Sequence, residues 1–276
     1  MVVEPHLHSC LPAPKRQNAW YWRFVVTGLS FFLFSLGAVV VGFLLMPLVR
    51  ILPASRERKR ARARRMMSAS LRLFVMVMSG LGGMTYEFVG ASRLGRPGQL
   101  IVANHPSLID VVFLLAFVPT SGCVVKQGLW RNAMTRGAVV LAEFISNEAT
   151  ATMIEGAEKA LRDAQTLIMF PEGTRTVPGQ PFVFHRSAAN VALRAATCVT
   201  PIYIRVRPTT LTKAEPWYRI PYRRPHFSLI VGDDIDLAPY RAMGALPVSS
   251  RAFNEYLQTH FHSTLARLDE IAGRPN

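Results

Sequence analysis

QLIVANHPSLIDVVFLLAF, residues Gln99 to Phe117, carries the fold in miniature. Gln99 to Ala103 is a short apolar run of strand length. It stops at the turn-forming Asn-His-Pro-Ser block, and Asp110 to Phe117 then reads as an apolar helix. The same alternation recurs on both sides. Cys123 to Lys126, Val139 to Ile145, Thr166 to Phe170, Pro201 to Val206 and His226 to Val231 read as strands. Glu148 to Gln165 reads as a helix with Met153, Ile154, Ala157, Ala160 and Leu161 on one face, and Ser187 to Ala196 as an alanine-rich helix. Ser249 to Ala272 is amphipathic through Phe253, Leu257, Phe261, Leu265 and Leu268, and closes at Gly273 and Pro275. Strands alternating with helices predict an α/β fold: a mixed, largely parallel sheet flanked by helices, with residues 73–276 as one domain.

The chain's 276 residues carry 32 Lys+Arg against 17 Asp+Glu, a net charge of +15, yet half of them are hydrophobic. A nucleic-acid-binding domain spreads its basic residues over a more polar sequence, and a disordered basic tail lacks this apolar content. A chain both basic and apolar fits a membrane surface. Cys10, Cys123 and Cys198 are odd in number and lack metal-ligand spacing, which fits a reducing compartment and predicts no metal.

Upstream of the α/β region, Phe24 to Val49 are 26 consecutive uncharged residues, where about 20 apolar residues suffice to cross the hydrocarbon core. Trp20, Tyr21 and Trp22 suit the headgroup layer. The expected organisation is a short tail (1–23), a membrane anchor helix (24–49), a basic juxtamembrane segment (50–72) and the α/β domain (73–276). Nine basic residues lie between Arg50 and Arg72, with Glu57 the only acid among them. By the positive-inside bias the domain faces the cytoplasm, and the arginines adhere to anionic headgroups. Leu73 to Tyr86, 14 residues long, reads as an interfacial or re-entrant segment, as a core helix, or as part of a hairpin with 24–49.

Two blocks carry chemistry. A histidine and a carboxylate near a strand end, His105 and Asp110, can act as a base and its orienter. Five residues apart on one helix they would point about 140° apart, so they meet only if His105 precedes the helix and Asp110 reaches back. Pro106 favours that by holding His105 extended and opening a helical turn. The second block is Phe170 to Arg175, FPEGTR, at the end of a strand. Gly173 permits close backbone approach, and Thr174 and Arg175 offer donors where an α/β sheet commonly binds phosphate.

These residues resemble the glycerophospholipid acyltransferase family, membrane enzymes that acylate lysophosphatidic acid and related lysolipids. Asn104 to Asp110 matches its N-H-x4-D block and Phe170 to Arg175 its F-P-E-G-T-R block. Lys126 and Gly137 fall where the second block begins and continues. Phe184 to Ala188 resembles the F-K-[KR]-G-A segment, and Thr200 to Ile204 the final strand. The resemblance covers about residues 73–232. It implies His105 as general base, Asp110 as its orienter, and Glu172, Gly173, Thr174 and Arg175 on the acceptor's polar head, helped by Lys126 and Arg186. It also implies direct acyl transfer from acyl-CoA or acyl-carrier protein, with no cofactor beyond that co-substrate and no nucleic-acid partner. The absence of a G-x-S-x-G elbow agrees, since no covalent acyl-enzyme is required.

One departure bears on the acceptor. Where the family commonly has F-I-D-R, this chain has Phe144-Ile145-Ser146-Asn147, exchanging a guanidinium for an amide, and His185 replaces the usual Lys. Arg131, Arg136 and Arg186 are the candidate replacements. The acceptor is therefore either 1-acylglycerol-3-phosphate or a related lysophospholipid, or a lysolipid of another head type such as an N-acyl amino acid with a free hydroxyl. A non-catalytic lipid- or carrier-protein-binding module and an ester hydrolase are the rival functions.

Overall fold

The computed structural model describes residues 19–177, 179–213 and 215–273. Lys15, Arg16 and Cys10, within the expected tail, lie outside the described residues. Seven strands form one sheet in the order β1-β7-β6-β2-β5-β3-β4. They are β1 (Thr85–Val89), β2 (Gln99–Ala103), β3 (Gly122–Val125), β4 (Ile145–Ser146), β5 (Leu167–Met169), β6 (Cys198–Arg207) and β7 (His226–Val231). β6, β2, β5, β3 and β4 run parallel to one another, β7 pairs antiparallel with β6, and β1 runs parallel to β7.

Ten helices surround the sheet among the described residues: α1 (Trp20–Val39), α2 (Met46–Ile51), α3 (Arg56–Gly80), α4 (Asp110–Phe117), α5 (Gly128–Arg131), α6 (Ala133–Leu141), α7 (Thr150–Arg162), α8 (Ser187–Ala195), α9 (Ala238–Arg241) and α10 (Leu246–Gly273). The period-2 alternation of β2 shows how the layers arise. Ile101 and Ala103 face a core built with α3, α4 and α6, while Leu100 and Val102 face a second core built with α7, α8 and α10. Every residue of β2 is buried, as expected of a strand covered on both faces.

The N-terminal apolar helix runs without a break from Trp20 to Ile51, α1 passing into α2 through a π-helical turn at Val40–Leu45. It is long and apolar enough to cross a membrane by length and composition. The turn sits where Gly42 meets α6, and a Cβ at Gly42 would run into the Met134 carbonyl. After Leu52–Ser55 the chain reverses into α3, capped where the Ser55 hydroxyl accepts from the Arg58 amide. α1–α2 and α3 form an antiparallel hairpin with contacts along its length. Lys59 donates to the Arg50 carbonyl at 2.7 Å, the Phe34 and Phe74 rings lie 5.2 Å apart, and Trp22 donates to the Leu81 carbonyl at 2.8 Å.

Three expectations change here. The tail does not extend to residue 23, because the helix begins at Trp20 and Arg23 is buried. The basic segment does not end at residue 72, because α3 carries the arginine run straight into Leu73–Gly80, with Phe74, Val75 and Met78 in the core. Leu73–Tyr86 is thus the end of a core helix followed by the start of β1, an edge strand that the sequence reading missed. Val139–Ile145 is not a strand. Asn132 caps a helix there by accepting from the Met134 amide at 2.9 Å, and only Ile145–Ser146 pair with β3.

Arg64 locks α3 to the domain. Its guanidinium, almost wholly buried, donates to the Ala142 and Thr120 carbonyls and to Gln165 Oε1 at 2.8–3.0 Å.

Candidate active site

The parallel strands end together, and both chemical blocks leave from neighbouring C-terminal ends, His105 after β2 and Glu172 after β5. This is the usual ligand crevice of an open α/β sheet. Asn104 guides the departure of the first. Its amide donates to the Ile204 carbonyl and accepts from the Ile204 amide, both at 2.8 Å, so a side chain continues the ladder to β6 while the backbone turns away.

Asp110 is the first residue of α4 and His105 lies in the loop before it, so the carboxylate reaches back. His105 Nδ1 and Asp110 Oδ2 are 3.0 Å apart. The same oxygen accepts from the Ser107 amide at 2.6 Å, and Oδ1 has no partner among the described residues. Asp110 is fully buried, and desolvation pushes its carboxyl above the usual range against the opposing effects of His105, the Ser107 amide and Arg175. When ionised it only accepts, so His105 Nδ1 carries the proton and leaves Nε2 as the ring's acceptor. The ring stacks on Phe170, centroids 4.3 Å apart.

Glu172 serves the same histidine from behind. Its Oε1 accepts from the His105 amide at 2.8 Å and its Oε2 from the Thr176 hydroxyl at 2.8 Å, while the Thr176 amide donates to the His105 carbonyl. Burial pushes the Glu172 carboxyl up. The carboxylate therefore ties the two loops together, with both oxygens engaged. Gly173 has φ +65°, where a side chain is strained, and a Cβ there would approach His185 Cδ2 to 3.2 Å. Thr174 is exposed beside it.

Arg175 Nη1 donates to the Leu211 and Thr212 carbonyls at 2.9 and 3.0 Å. Leu211 O also accepts from the Leu108 amide at 3.0 Å, and Thr210 O from the Ser107 hydroxyl at 3.0 Å. A buried strap, Thr210–Thr212, thus runs beneath both blocks, with Leu211 at φ +55°. Its apolar or small polar residues carry no sequence signal; Asn104, Ser107 and Phe170 lie within the two blocks but had no role assigned from sequence, and Thr176, just past the second block, was missed.

Lys126 and Arg186 stand further out. Lys126 follows β3, two strands from β2 and so about 10 Å away by strand spacing, and is exposed. Arg186 caps α8, exposed, next to the His185 that packs on Gly173. Asn147 is spent on the backbone, its Oδ1 accepting from the Gln127 amide at 3.2 Å, and Arg131 Nη2 lies 3.9 Å from Glu148. Among the described residues no cluster of three or more His, Cys, Asp or Glu is arranged to hold a metal.

The sequence profile of the Acyltransferase family matches residues 86–205, which include both blocks. The matched stretch runs from β1 into β6 and so takes in the strands that carry His105 and Glu172. Similar proteins include the 1-acyl-sn-glycerol-3-phosphate acyltransferase of Helicobacter pylori, 28% identical over 40% of this chain and 48% of that protein. That of Pseudomonas aeruginosa is 27% identical over 64% of this chain and 69% of its own length. The human 1-acyl-sn-glycerol-3-phosphate acyltransferase alpha is 28% identical over 48% of this chain and 50% of its own length. The chain thus spans about half the length of several curated relatives it matches. The crystal structure of the 1-acyl-sn-glycerophosphate acyltransferase PlsC from Thermotoga maritima superposes with a TM-score of 0.68, covering 92% of this chain and 98% of that one at 19% identity. The two share the fold.

Proposed function

We propose that this chain is a membrane-bound O-acyltransferase that moves an acyl group from acyl-CoA or acyl-carrier protein to the hydroxyl of a lysolipid, in the first place 1-acylglycerol-3-phosphate or a related lysophospholipid. The observation that carries the reading is His105 held by Asp110 at a strand end, against an FPEGTR loop, inside a domain of the acyltransferase family. His105 Nε2 takes the hydroxyl proton as the oxygen attacks the thioester carbonyl, and Asp110 stabilises the imidazolium. The tetrahedral intermediate collapses with loss of the thiolate, which recovers the proton from His105. Gly173, Thr174 and Arg175 receive the polar head, with Lys126 and Arg186 at its margin, and Glu172 holds the His105 backbone.

The exposed apolar flank of the Trp20–Ile51 helix supplies the membrane contact. A helix standing across the bilayer would drag the paired arginines of α3 into hydrocarbon, at about 3 kcal/mol for each one near the centre. The hairpin geometry therefore favours a helix lying in one leaflet, and the positive-inside bias of the arginine run supports a cytoplasmic domain. A different head group is the second reading, because Asn147 replaces an arginine and is occupied with the Gln127 amide. Purified full-length protein in detergent, given oleoyl-CoA or acyl-carrier-protein thioester and a panel of lysophospholipids and hydroxylated N-acyl amino acids, is followed by mass spectrometry. Transfer that falls at least a hundredfold in His105→Ala is expected. Normal turnover by that variant removes His105 from the chemistry, and saturable binding without transfer to any acceptor would leave a binding module.

A further inference from the structure

The segment joining β6 to β7 is aromatic and basic, and no role above uses it. Between Glu215 and Pro225 it carries Trp217, Tyr218 and Tyr222 with Arg219, Arg223 and Arg224, against Glu215 alone. Trp217, Tyr218 and Tyr222 are 46%, 57% and 83% exposed, high values for large aromatic rings. Aromatic side chains with a polar tip, interleaved with arginine, are suited to the headgroup layer of a bilayer, where one part of the ring is apolar and its edge is wet.

The fold places this loop against the apolar helix. Trp217 packs on Phe31, ring centroids 5.7 Å apart, and lies beside Gly28. Arg23 of α1 donates to the Pro221 and Tyr222 carbonyls. Arg224 donates to the Ser79 and Met84 carbonyls, tying the loop to the end of α3 as well. The loop therefore extends a surface that already exposes Tyr21, Val25 and Phe32, and adds charge complementary to anionic lipid. At its start it is continuous with the Thr210–Thr212 strap beneath His105 and Arg175.

The geometry points to the Glu215–Pro225 loop as a second membrane-docking element, seated in the headgroup layer of an anionic phospholipid bilayer beside the N-terminal half of α1. It rests on the reading of α1 as the membrane helix and deepens it. Docking through this loop brings the bilayer surface to the strap that carries both chemical blocks, where a lysolipid head must arrive. The irregular backbone of the loop and its charged side chains belong in that hydrated layer and not in hydrocarbon.

The test uses the full chain with its native cysteines replaced and an environment-sensitive label at Tyr218→Cys or Tyr222→Cys. Leu36→Cys on the exposed flank of α1 and Arg251→Cys on α10, across the sheet, serve as controls. On addition of phosphatidylcholine vesicles holding 30 mol% phosphatidylglycerol, labels at 218 and 222 are expected to shift to a less polar environment, to be quenched by headgroup-level quenchers more than by deep ones, and label 251 to stay aqueous. Labels at 218 and 222 that stay aqueous overturn the proposal in either case, and the Leu36 label then tells whether the membrane reading falls with it. In a second arm, Arg219→Gln with Arg223→Gln is expected to weaken binding to these vesicles about 30-fold, at roughly 1 kcal/mol per basic side chain, and to leave binding to neutral vesicles nearly unchanged. Equal affinity of variant and parent for the anionic vesicles would count against the loop's role in charge recognition and overturn the anionic-surface assignment.

Discussion

Replacing Asp110 with asparagine separates the charge of the orienting carboxylate from its geometry. Ser107 N–H and His105 Nδ1–H both converge on Asp110 Oδ2, at 2.6 and 3.0 Å, while Oδ1 has no partner. In Asp110→Asn the amide oxygen must take the Oδ2 place, because an NH2 there would face two donors. The histidine keeps its tautomer and Nε2 stays a base. On the proposed function, what disappears is the attraction between the carboxylate and the imidazolium formed during proton transfer. Two unit charges about 4 Å apart at an effective dielectric of about 20 interact by about 4 kcal/mol, close to a thousandfold in rate. The surviving neutral hydrogen bond reduces that loss, so kcat is expected to fall by roughly 100- to 1000-fold with KM for the lysolipid nearly unchanged. Initial rates of labelled acyl transfer in detergent micelles measure both. A variant within threefold of the parent kcat would refute the charge-stabilising role. Stability supplies an independent check. Burial raises the Asp110 carboxyl, so the stability this group contributes is present below the ordinary carboxylate range and is lost as pH rises through its raised value. Asparagine has no such dependence. The melting midpoint of the variant minus that of the parent should therefore decrease as pH is lowered from 8 towards 5, whatever constant cost the unpartnered NH2 adds. A difference that grows on acidification would mean that the native carboxyl is lowered.

Arg175→Ala removes the guanidinium that donates to the Leu211 and Thr212 carbonyls and that the proposed function places on the lysolipid head; it is expected to raise KM for a phosphate-bearing lysolipid about 10- to 100-fold, from roughly 1.5–3 kcal/mol per charged hydrogen bond. A lower melting midpoint with unchanged KM would make Arg175 a strap anchor alone. Arg64→Leu strands the Ala142, Thr120 and Gln165 acceptors in the interior and is expected to cost about 3–5 kcal/mol, lowering the thermal midpoint by roughly 10 °C. A midpoint within 2 °C of the parent would show that water satisfies those acceptors.

Much of the fold was legible because local signals agree with the tertiary result. The apolar run Gln99–Ala103 bounded by Asn104 and Pro106 became the fully buried central β2, and Asp110–Phe117 became α4. Val139–Ile145 misled because a short apolar run suits a strand or a buried helix equally. Contact with the π-helical turn at Gly42 and the Asn132 cap selected the helix. Thr85–Val89 was hidden because its pairing partner, β7, lies about 140 residues downstream.

By itself the sequence determined the α/β alternation, the long apolar helix and the two blocks at strand ends, since periodicity, turn residues and charge act over a few neighbours. Only the tertiary structure decided that Asp110 reaches back to His105, that Glu172 is spent holding the His105 amide, and that Arg175 grips a strap from Thr210–Thr212. It also decided that the basic run is one helix paired with the apolar one, and that an aromatic loop near residue 220 lies against it. Apart from the His105–Asp110 pair, which hinges on how the short loop before α4 turns, those outcomes depend on hydrogen bonds and packing between segments about 30 to 200 residues apart, and their partners are mostly backbone carbonyls and amides, which every sequence contains and none displays.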